Sequence, residues 1–332
     1  MRILGIETSC DETAAAIVEN GITILSSVVS SSSDLHKKTG GIVPEIAARK
    51  QVEAIIPVIK ECLSSANTTL DSIDAIAVTE GPGLIGSLLV GVTTAKLLSA
   101  YLKKPLIPVN HLLAHIYANW LEQPPQFPLI SLIVSGGHTE LILMKDHKNM
   151  DYLGGTRDDA AGESFDKIAR ILNLGYPGGP AIEKKARSFD GSKKTLILPK
   201  PLINSKDFDF SFSGLKTATL TAAQSGNFSP EEIAYSFQEA VCTTLVKKTV
   251  DAAIYYKVKN VVLAGGVSAN KRLRELFLQN NLLIKAGIKI SIPKISFCTD
   301  NAAAIAACGY FHNSKKRLEN VCANPSLTIK DI

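Results

Sequence analysis

The chain contains one local pattern twice, and this duplication constrains its fold more than any other feature. The first copy, RILGIETSCDETAAAIVENG at residues 2–21, consists of an apolar strand, a polar turn, a second apolar strand and an Asn-Gly turn. The second copy, PLISLIVSGGHTELILMKD at residues 128–146, repeats the order of strand, small polar turn and strand. Each copy predicts antiparallel strands joined by a tight turn, and the repetition indicates two related lobes.

Helical and strand-like segments alternate after each copy. IVPEIAARKQVEAIIPVIKECL is predicted to be a helix with Pro44 in its first turn and a kink at Pro57. In the second half, ESFDKIARILNLG is predicted to be a helix that ends at Gly175, and Ser229 to cap a long helix. Alternating strands and helices indicate an α/β class. A chain of 332 residues is long enough for two lobes with a cleft between them.

The composition predicts a soluble, cytoplasmic protein. No apolar run approaches the ~18 residues of a membrane helix, and the chain opens on a strand rather than on a basic and then hydrophobic leader. The six cysteines are scattered without a C-x-x-C pair, which favours reduced thiols over disulfides or a cysteine zinc site.

Basic residues recur in clusters although the net charge is only +5. The clusters are Lys37 with Lys38, Lys103 with Lys104, Lys184 with Lys185, Lys193 with Lys194, Lys247 with Lys248, and Lys315, Lys316 and Arg317. Such clusters are compatible with a nucleic-acid-binding face and also with ordinary solvated surface. Charge therefore permits a polyanionic partner without demonstrating one.

Two histidines stand four residues apart in NHLLAHIYANWL, residues 110–121. On a helix this spacing places His111 and His115 on one face, where two imidazoles can share a metal ion. The same spacing is also compatible with surface or core histidines. It is found in the zinc peptidase motif H-E-x-x-H as well, but Leu112 stands where the catalytic glutamate is needed. The pair therefore does not belong to a peptidase of that type.

Two glycine pairs follow apolar strands, in SGGHT at 135–139 and in AGGVSAN at 264–270. Glycines at such places let backbone N–H groups approach an anion, and they are also ordinary turn residues. Neither segment matches the P-loop or the Rossmann glycine motif. A P-loop NTPase and a dehydrogenase are therefore disfavoured, whereas a nucleotide held between two lobes is not.

Seven sequence blocks carry a family resemblance. The chain contains, in this order, GIETSCDET at 5–13, the NHLLAH helix, VSGGHTEL at 134–141, GESFDKIARILNLGYPGGP at 162–180, FSFSGLKTA at 210–218, GGVSAN at 265–270 and CTDNAAAI at 298–305. Together these blocks resemble the TsaD family along essentially the whole chain. The resemblance implies an actin/Hsp70-like (ASKHA) duplicated two-lobed α/β fold with an interdomain cleft. We expect an N-terminal lobe at 1–127, with 302–325 packed back on it, and a C-terminal lobe at 128–301.

The resemblance implies a tRNA N6-adenosine threonylcarbamoyltransferase, in a family once labelled a sialoglycoprotein endopeptidase. Such an enzyme moves threonylcarbamoyl from threonylcarbamoyl-AMP to N6 of adenosine 37 in tRNAs that read codons beginning with A, giving t6A37 and AMP. The acceptor is a weak aromatic amine. The site must therefore polarise the carbamoyl carbonyl, hold the adenylate and exclude water.

For polarisation, the resemblance makes His111, His115 and Asp300 the ligands of one divalent metal, iron in the family's usual description. Three protein ligands with open positions let an ion act as a Lewis acid on the donor. Because imidazole suits zinc as well as iron, the spacing leaves the choice between Fe²⁺ and Zn²⁺ open.

For holding the donor, the resemblance implies a substrate-binding set of nine residues: Val134, Ser135, Gly136, Gly137, His138, Asp166, Gly179, Glu183 and Asn270. Asp166 and Glu183 could accept a ribose hydroxyl or be ordinary helix-surface charges. Asn270 opens a helix, where it could meet a base or a phosphate. Glu183 stands where the family more often has Asp, which leaves its contact open.

Asp11, in the turn SCDET, is the candidate catalytic residue that orients or deprotonates the adenine amine. An acid in a polar turn is also a common cap or Asx-turn residue. Cys10 beside it has no role implied by the family, and we expect a buried or incidental thiol.

The resemblance also implies partners. They are tRNA, bound through its anticodon loop, a TsaB-like paralogue, a TsaE-like ATPase and a TsaC-like synthase that supplies threonylcarbamoyl-AMP. The SCDET turn favours this bacterial set over the archaeal and eukaryotic KEOPS assembly, and an organellar homodimer is the alternative. If the basic pairs converge on the cleft, tRNA binding falls steeply with salt.

Three rival functions remain to be weighed against the transferase. A small-molecule kinase on the same type of fold would use the glycine turns for ATP but would need no histidine pair. A metal-dependent glycoprotein endopeptidase would need a glutamate after His111, and this chain has Leu112 there. A non-catalytic relative of TsaB would not be expected to retain His111, His115 and Asp300 together.

Overall fold

The computed structural model describes residues 1–121, 123–191, 196–312 and 317–331. Lys193, Lys194, Lys315 and Lys316 of the basic clusters lie outside the described residues, as do 313–316 of the segment 302–325, and the side chains of Lys37 and Lys38 are likewise not described. The chain divides into two compact units: Met1–Pro125 with Lys294–Ile332, and Gln126–Pro293. Residues 294–301, which the sequence-based boundaries put in the C-terminal lobe, belong to the first unit.

The first unit is built on a five-stranded sheet in the order β3-β2-β1-β4-β5. Its strands are β1 Arg2–Glu7, β2 Glu12–Glu19, β3 Thr23–Ser31, β4 Ala75–Gly81 and β5 Leu106–Asn110. β1, β2 and β3 pair antiparallel, whereas β1, β4 and β5 are parallel. The carboxyl ends of these three parallel strands therefore meet at one edge of the sheet, where binding sites of α/β proteins commonly lie.

Helices cover both faces of this sheet. They are α1 Ser33–Thr39, α2 Pro44–Ser65, α3 Ile85–Leu102, α4 His111–Tyr117 and, after the second unit, α11 Ala302–His312. Leu4 and Ile6 of β1 face a core that includes Ile55 and Ile59 of α2. Because side chains alternate across a strand, Gly5 faces the opposite side, where α11 packs against β1.

Helix α3 corrects one expectation from the sequence. Among the described residues it is the one helix long and apolar enough to cross a membrane by length and composition, although no such run was expected. A third of α3 is buried, and the helix packs against β4 and α2.

The second unit repeats the arrangement of the first. Its sheet has the order β10-β9-β6-β7-β8, with β6 Leu129–Val134, β7 Thr139–Met144, β8 Met150–Gly155, β9 Asn260–Ala264 and β10 Lys289–Ser291. Its helices are α5 Ala161–Ile171, α6 Gly178–Ala186, α7 Ser213–Ser225, α8 Pro230–Tyr255, α9 Lys271–Leu278 and α10 Asn281–Lys285. In both sheets three antiparallel strands are joined by two parallel ones, which confirms the duplication predicted from the sequence.

Most helix boundaries follow the predicted signals, with one difference. Pro44 occupies the first turn of α2, and the Ser229 hydroxyl accepts from the Glu232 N–H at the start of α8. Helix α5, however, ends at Ile171 rather than at Gly175. Asn173 already adopts a left-handed conformation with φ of 54°, which asparagine tolerates better than most residues, so the helix cannot continue to the glycine.

Candidate functional site

The two histidines stand at the sheet edge because β5 ends directly in helix α4. Asn110, the last residue of β5, caps this helix: its Oδ1 accepts from the backbone N–H groups of Leu112 and Leu113 at 2.9 and 3.1 Å. An asparagine cap satisfies N–H groups that have no partner within the first turn. The helix therefore starts at His111, and His115 lies one turn further along.

Asp300 completes a compact group with these histidines. The Nε2 atoms of His111 and His115 each lie 3.5 Å from Oδ1 of Asp300. One ligand atom from each of the three residues lies within 4.8 Å of the other two. Two imidazole nitrogens and a carboxylate oxygen are a donor set that fits Zn²⁺ or Fe²⁺. The group can therefore hold a metal ion.

The position of Asp300 depends on close packing between α11 and the sheet. Asp300 and Asn301 precede α11, and the Asn301 side chain accepts from the Ala304 N–H at 2.9 Å. A Cβ on Gly5 of β1 would overlap the carbonyl oxygen of Ala302, and one on Gly309 would lie 2.8 Å from Cβ of Ala77. Small residues on both sides thus let α11 approach β1 at its start and β4 near its end.

A buried glutamate that the sequence did not single out supports His111. The Glu7 Oε2 atom lies 3.1 Å from His111 Nδ1 and accepts from the Thr79 hydroxyl at 2.6 Å. Its other oxygen accepts from the Ser9 N–H. Glu7 is the last residue of an apolar strand, so neither periodicity nor a motif with a known role drew attention to it.

Negative charge is concentrated around this group. Burial alone would lower the pKa of His111, but Glu7 and Asp300 raise it to about 9. Burial, together with Glu7 and Asp11, raises the pKa of Asp300 to about 6, although His111 acts in the opposite direction. Burial and the neighbouring Asp300 and Asp11 raise the pKa of Glu12 to about 9. Such a surplus of carboxylates favours a bound cation.

Asp11 lies in the turn between β1 and β2, and only 8% of it is exposed. Its carbonyl accepts from both the N–H and the hydroxyl of Ser32. Asp11 also lines a cavity of about 270 Å³ that Ser30, Ser31 and Lys50 help to enclose. Burial and nearby carboxylates raise the pKa of the Cys10 thiol, so Cys10 lacks the thiolate character of a nucleophile.

In the second unit, the structure brings the two glycine turns together. β6 and β9 are parallel neighbours, and a Cβ on Gly265 would lie 2.6 Å from the Val134 carbonyl oxygen. The turn is closed by a bond from the Ser135 N–H to the His138 carbonyl at 2.9 Å. A Cβ on Gly136 or Gly137 would meet nothing within 4 Å, so the tip of this turn has room for a ligand.

Two further residues of the predicted substrate-binding set, Asp166 and Glu183, make contacts within the protein, whereas Gly179 is open. Asp166 accepts from the Gly178 N–H at 2.7 Å, and burial raises its pKa. Glu183 pairs with Arg187 and accepts from the Lys271 N–H at 3.3 Å. A Cβ on Gly179 would meet nothing within 4 Å.

Asn270 caps helix α9 and is tied to the long helix α8. Its Oδ1 accepts from the Leu273 N–H at 3.0 Å, and its Nδ2 donates to Gln238 at 2.9 Å. The next residue, Lys271, donates its backbone N–H to Glu183. Glu183, Gln238 and Lys271 line a cavity of about 320 Å³.

The fold is shared with solved structures that are distant in sequence. HypF of T. kodakarensis covers 94% of this chain, and the match spans 47% of HypF, with a TM-score of 0.64 and 16% identity. Component A of the (R)-2-hydroxyglutaryl-CoA dehydratase of Acidaminococcus fermentans gives a TM-score of 0.55 at 16% identity, over 93% of this chain and 98% of that one. These likenesses confirm the ASKHA-like α/β fold.

Sequence relatives are much closer and span nearly the whole chain. The tRNA N6-adenosine threonylcarbamoyltransferase of Dehalococcoides mccartyi is 54% identical over 313 residues, which are 94% of this chain and 93% of that protein. That of Bacillus cereus is 51% identical over 335 residues, 99% of this chain and 96% of its own. The TsaD family model, described as tRNA N6-adenosine threonylcarbamoyltransferase, matches residues 23–307. The chain is therefore a transferase that belongs to the TsaD family.

Proposed function

We propose that the chain transfers the threonylcarbamoyl group from threonylcarbamoyl-AMP to N6 of adenosine 37 in tRNAs reading codons that begin with A. The products are t6A37 and AMP. The observation that carries this conclusion is the convergence of His111, His115 and Asp300 in a chain more than half identical to named transferases. Family membership favours acyl transfer over the kinase and endopeptidase alternatives.

His111, His115 and Asp300 would hold one divalent ion, which we propose to be Fe²⁺, with Zn²⁺ as the alternative. When bound, this ion supplies Lewis acidity that polarises the carbamoyl carbonyl. One ligand atom from each of the three residues already lies within 4.8 Å of the other two, so the ion would need little rearrangement of the side chains.

Asp11 is proposed to act on the acceptor amine, by orienting it or by taking its proton. Two observations support this role. Asp11 lines a cavity of about 270 Å³, and its charge contributes, after burial and Glu7, to the raised pKa of Asp300. A carboxylate in this position would serve as a hydrogen-bond acceptor for the adenine amine or as its general base.

The donor is proposed to bind the second unit through Val134, Ser135, Gly136, Gly137 and His138, with Asp166, Gly179, Glu183 and Asn270. The open space at Gly136, Gly137 and Gly179 supports this assignment for the backbone contacts. Glu183 lines the cavity of about 320 Å³, which supports a contact with the nucleotide. Asp166 and Asn270 each accept a hydrogen bond from the protein backbone. We therefore propose that they position the site residues as well as contact the ligand.

A TsaB-like paralogue is proposed to bind the exposed face of α2 and α3, defined by Val52, Ile56, Ile85, Leu89, Leu97 and Tyr101. Each of these side chains is about half exposed or more, and α2 and α3 pack against each other; large exposed apolar side chains on neighbouring helices are typical of an interface. A paralogue of the same fold would present a corresponding helix pair. A TsaE-like ATPase, a TsaC-like donor synthase and a cytoplasmic location complete the proposal.

The decisive experiment is transfer of labelled threonylcarbamoyl from its adenylate to a tRNA that reads such codons, with TsaB and TsaE counterparts present. Product with the intact chain and none with His111→Ala is the expected result. No product from either, in a mixture where a known TsaD is active, would contradict the proposal. Phosphoryl transfer from ATP to small hydroxylated substrates would then favour the kinase.

A further inference from the structure

The geometry points to Glu7 as the positioning residue of the metal centre: its carboxylate holds the His111 ring so that Nε2 is presented to the ion. This inference rests on the proposed function, because it concerns the same site. Glu7 is not one of the three residues whose ligand atoms converge, so its part is played through His111.

The contacts of His111 assign different tasks to its two ring nitrogens. Nδ1 lies 3.1 Å from Oε2 of Glu7 and 3.3 Å from the Ser9 hydroxyl. Nε2 lies 3.5 Å from Asp300. A carboxylate oxygen can accept a hydrogen bond from Nδ1, and this contact holds the ring so that Nε2 faces Asp300. Metal-bound histidines commonly have such a partner on the second nitrogen.

Glu7 is itself held rigidly. Its side chain is 1% exposed, and both of its oxygens are engaged, one by Thr79 and His111 and the other by the Ser9 N–H. The partner Thr79 follows from strand register: Ile6 of β1 pairs with Val78 of β4, so the next residue on each strand meets the other. A carboxylate fixed from two strands cannot swing away from His111.

The rival interpretation is purely structural, with Glu7 stabilising the edge between β1 and β4 and nothing more. The two interpretations predict different effects of a Glu7 substitution on metal binding. A structural role lowers the stability of the protein but leaves metal affinity and metal spectrum unchanged once the chain is folded. A positioning role changes both the affinity and the ligand field.

The test uses the full chain freed of metal and titrated with Co²⁺, whose visible absorption reports ligand geometry. Glu7→Ala is expected to weaken Co²⁺ binding about 10- to 100-fold and to alter the absorption bands. Glu7→Gln keeps an oxygen that can accept the Nδ1 hydrogen, so it should retain part of the affinity. Glu7→Asp keeps the charge but withdraws the oxygen by one methylene, and it should bind less well than wild type.

A matched control is Glu80→Gln, at the end of the neighbouring strand. Glu80 is 7% exposed and accepts from the Cys322 N–H, so this variant should bind Co²⁺ like wild type. If Glu7→Ala does not fold, Glu7→Gln and Glu7→Asp decide. Wild-type affinity and spectrum in both folded variants would overturn the inference. Failure of the wild-type chain itself to bind Co²⁺ better than His111→Ala would overturn the metal centre as well, which is a different result.

Discussion

Asn110 ties the start of helix α4 to the C-terminal segment, residues 317–331: its Nδ2 donates to the carbonyl of Thr328 at 3.0 Å. The same side chain caps α4 with its oxygen. The C-terminal segment also donates from Asn324 to the Glu80 carbonyl at 2.7 Å and accepts from Lys96 at the Val321 carbonyl. The residue before the first histidine is therefore fixed from both sides.

Replacing this cap should weaken both folding and metal binding. Asn110→Ala is expected to cost about 1 kcal/mol of unfolding free energy, the usual loss for a helix cap, and to lower metal affinity. Asn110→Asp keeps the capping oxygen and loses the donor to Thr328, so its stability and metal affinity should lie between those of wild type and Asn110→Ala. Denaturant unfolding and metal titration measure these effects. Equal metal affinity in all three proteins would show that the cap does not position His111.

Loss of one metal ligand should abolish transfer. His115→Ala leaves two protein ligands, too few to hold the ion in a defined geometry, and threonylcarbamoyl transfer should fall to background. Chelation of the wild-type protein should have the same effect, reversed by added Fe²⁺ or Zn²⁺. His147→Ala, whose imidazole packs on Phe127 in the second unit, is the matched control and should keep both metal and activity. Full activity of His115→Ala would remove the metal from the mechanism.

A methyl group on Gly5 should move Asp300. In Gly5→Ala the added carbon overlaps the Ala302 carbonyl, and such overpacking costs about 1–3 kcal/mol of unfolding free energy. Because α11 must shift, metal affinity should fall along with stability. Gly214→Ala, where the new Cβ would make an ordinary contact of 3.6 Å with Pro201, should leave metal binding unchanged. Metal binding that survives Gly5→Ala undiminished would show that Asp300 is positioned by other contacts.

Asp158 should make the second unit sensitive to acid. Partial burial would raise the pKa of Asp158, but hydrogen bonds from Ser211, Ser213 and Phe212 hold it below its ordinary value of 3.8. A folded pKa below the unfolded one contributes stability that is present above 3.8 and lost as the pH falls through the lower value. Asp158→Asn should therefore lower thermal stability near neutral pH, and its difference from wild type should shrink in acid. The control is Asp251→Asn, because Asp251 forms a surface pair with Lys247. If the stability difference between Asp158→Asn and wild type were the same at all pH values, this account would be contradicted.

Charge on the exposed face of α3 should block a paralogous partner. Leu89 and Leu97 are 50% and 67% exposed, so Leu89→Glu and Leu97→Glu should fold normally and bind metal normally. Both are expected to abolish co-elution with a TsaB counterpart, because a buried unpaired charge is costly at an interface. Leu278→Glu, on an equally exposed leucine of α9 in the second unit, should not. If all three variants still associate, the partner binds elsewhere.

The sequence predicted those parts of the site that local pattern can encode. The spacing of His111 and His115 predicts a shared helix face, and the duplicated strand pairs predict two sheets of matching order. Asp300 could not be found in this way, because its contact with the histidines depends on α11 returning to the first unit after the whole second unit. Only the family resemblance identified Asp300. The sequence-based boundaries also put residues 294–301 in the C-terminal lobe, because nothing in the local pattern marks the point at which the chain returns to the first unit.

Glu7 shows what pattern cannot reveal. It ends an apolar strand within the block GIETSCDET at 5–13, but the strand pattern does not distinguish a buried partner of a histidine from an ordinary strand terminus. Its partner Thr79 belongs to another strand, and the contact exists only once β1 and β4 are paired in register. The apolarity of α3 was missed for a different reason, since one lysine and several small residues interrupt a segment that still passes as a membrane helix.

Strand β1 carries Gly5 and Glu7 two residues apart, and alternate residues of a strand point to the same face. Gly5 therefore allows the start of α11, which follows Asp300, to pack closely against β1, and Glu7 contacts the His111 ring. A slip of one residue between β1 and its neighbours would turn both away and bring Leu4 and Ile6 to their place. A chain misfolded in this way would bring neither Asp300 nor the His111 ring into the candidate metal site, so metal content measured after refolding would also report whether β1 has paired in its native register.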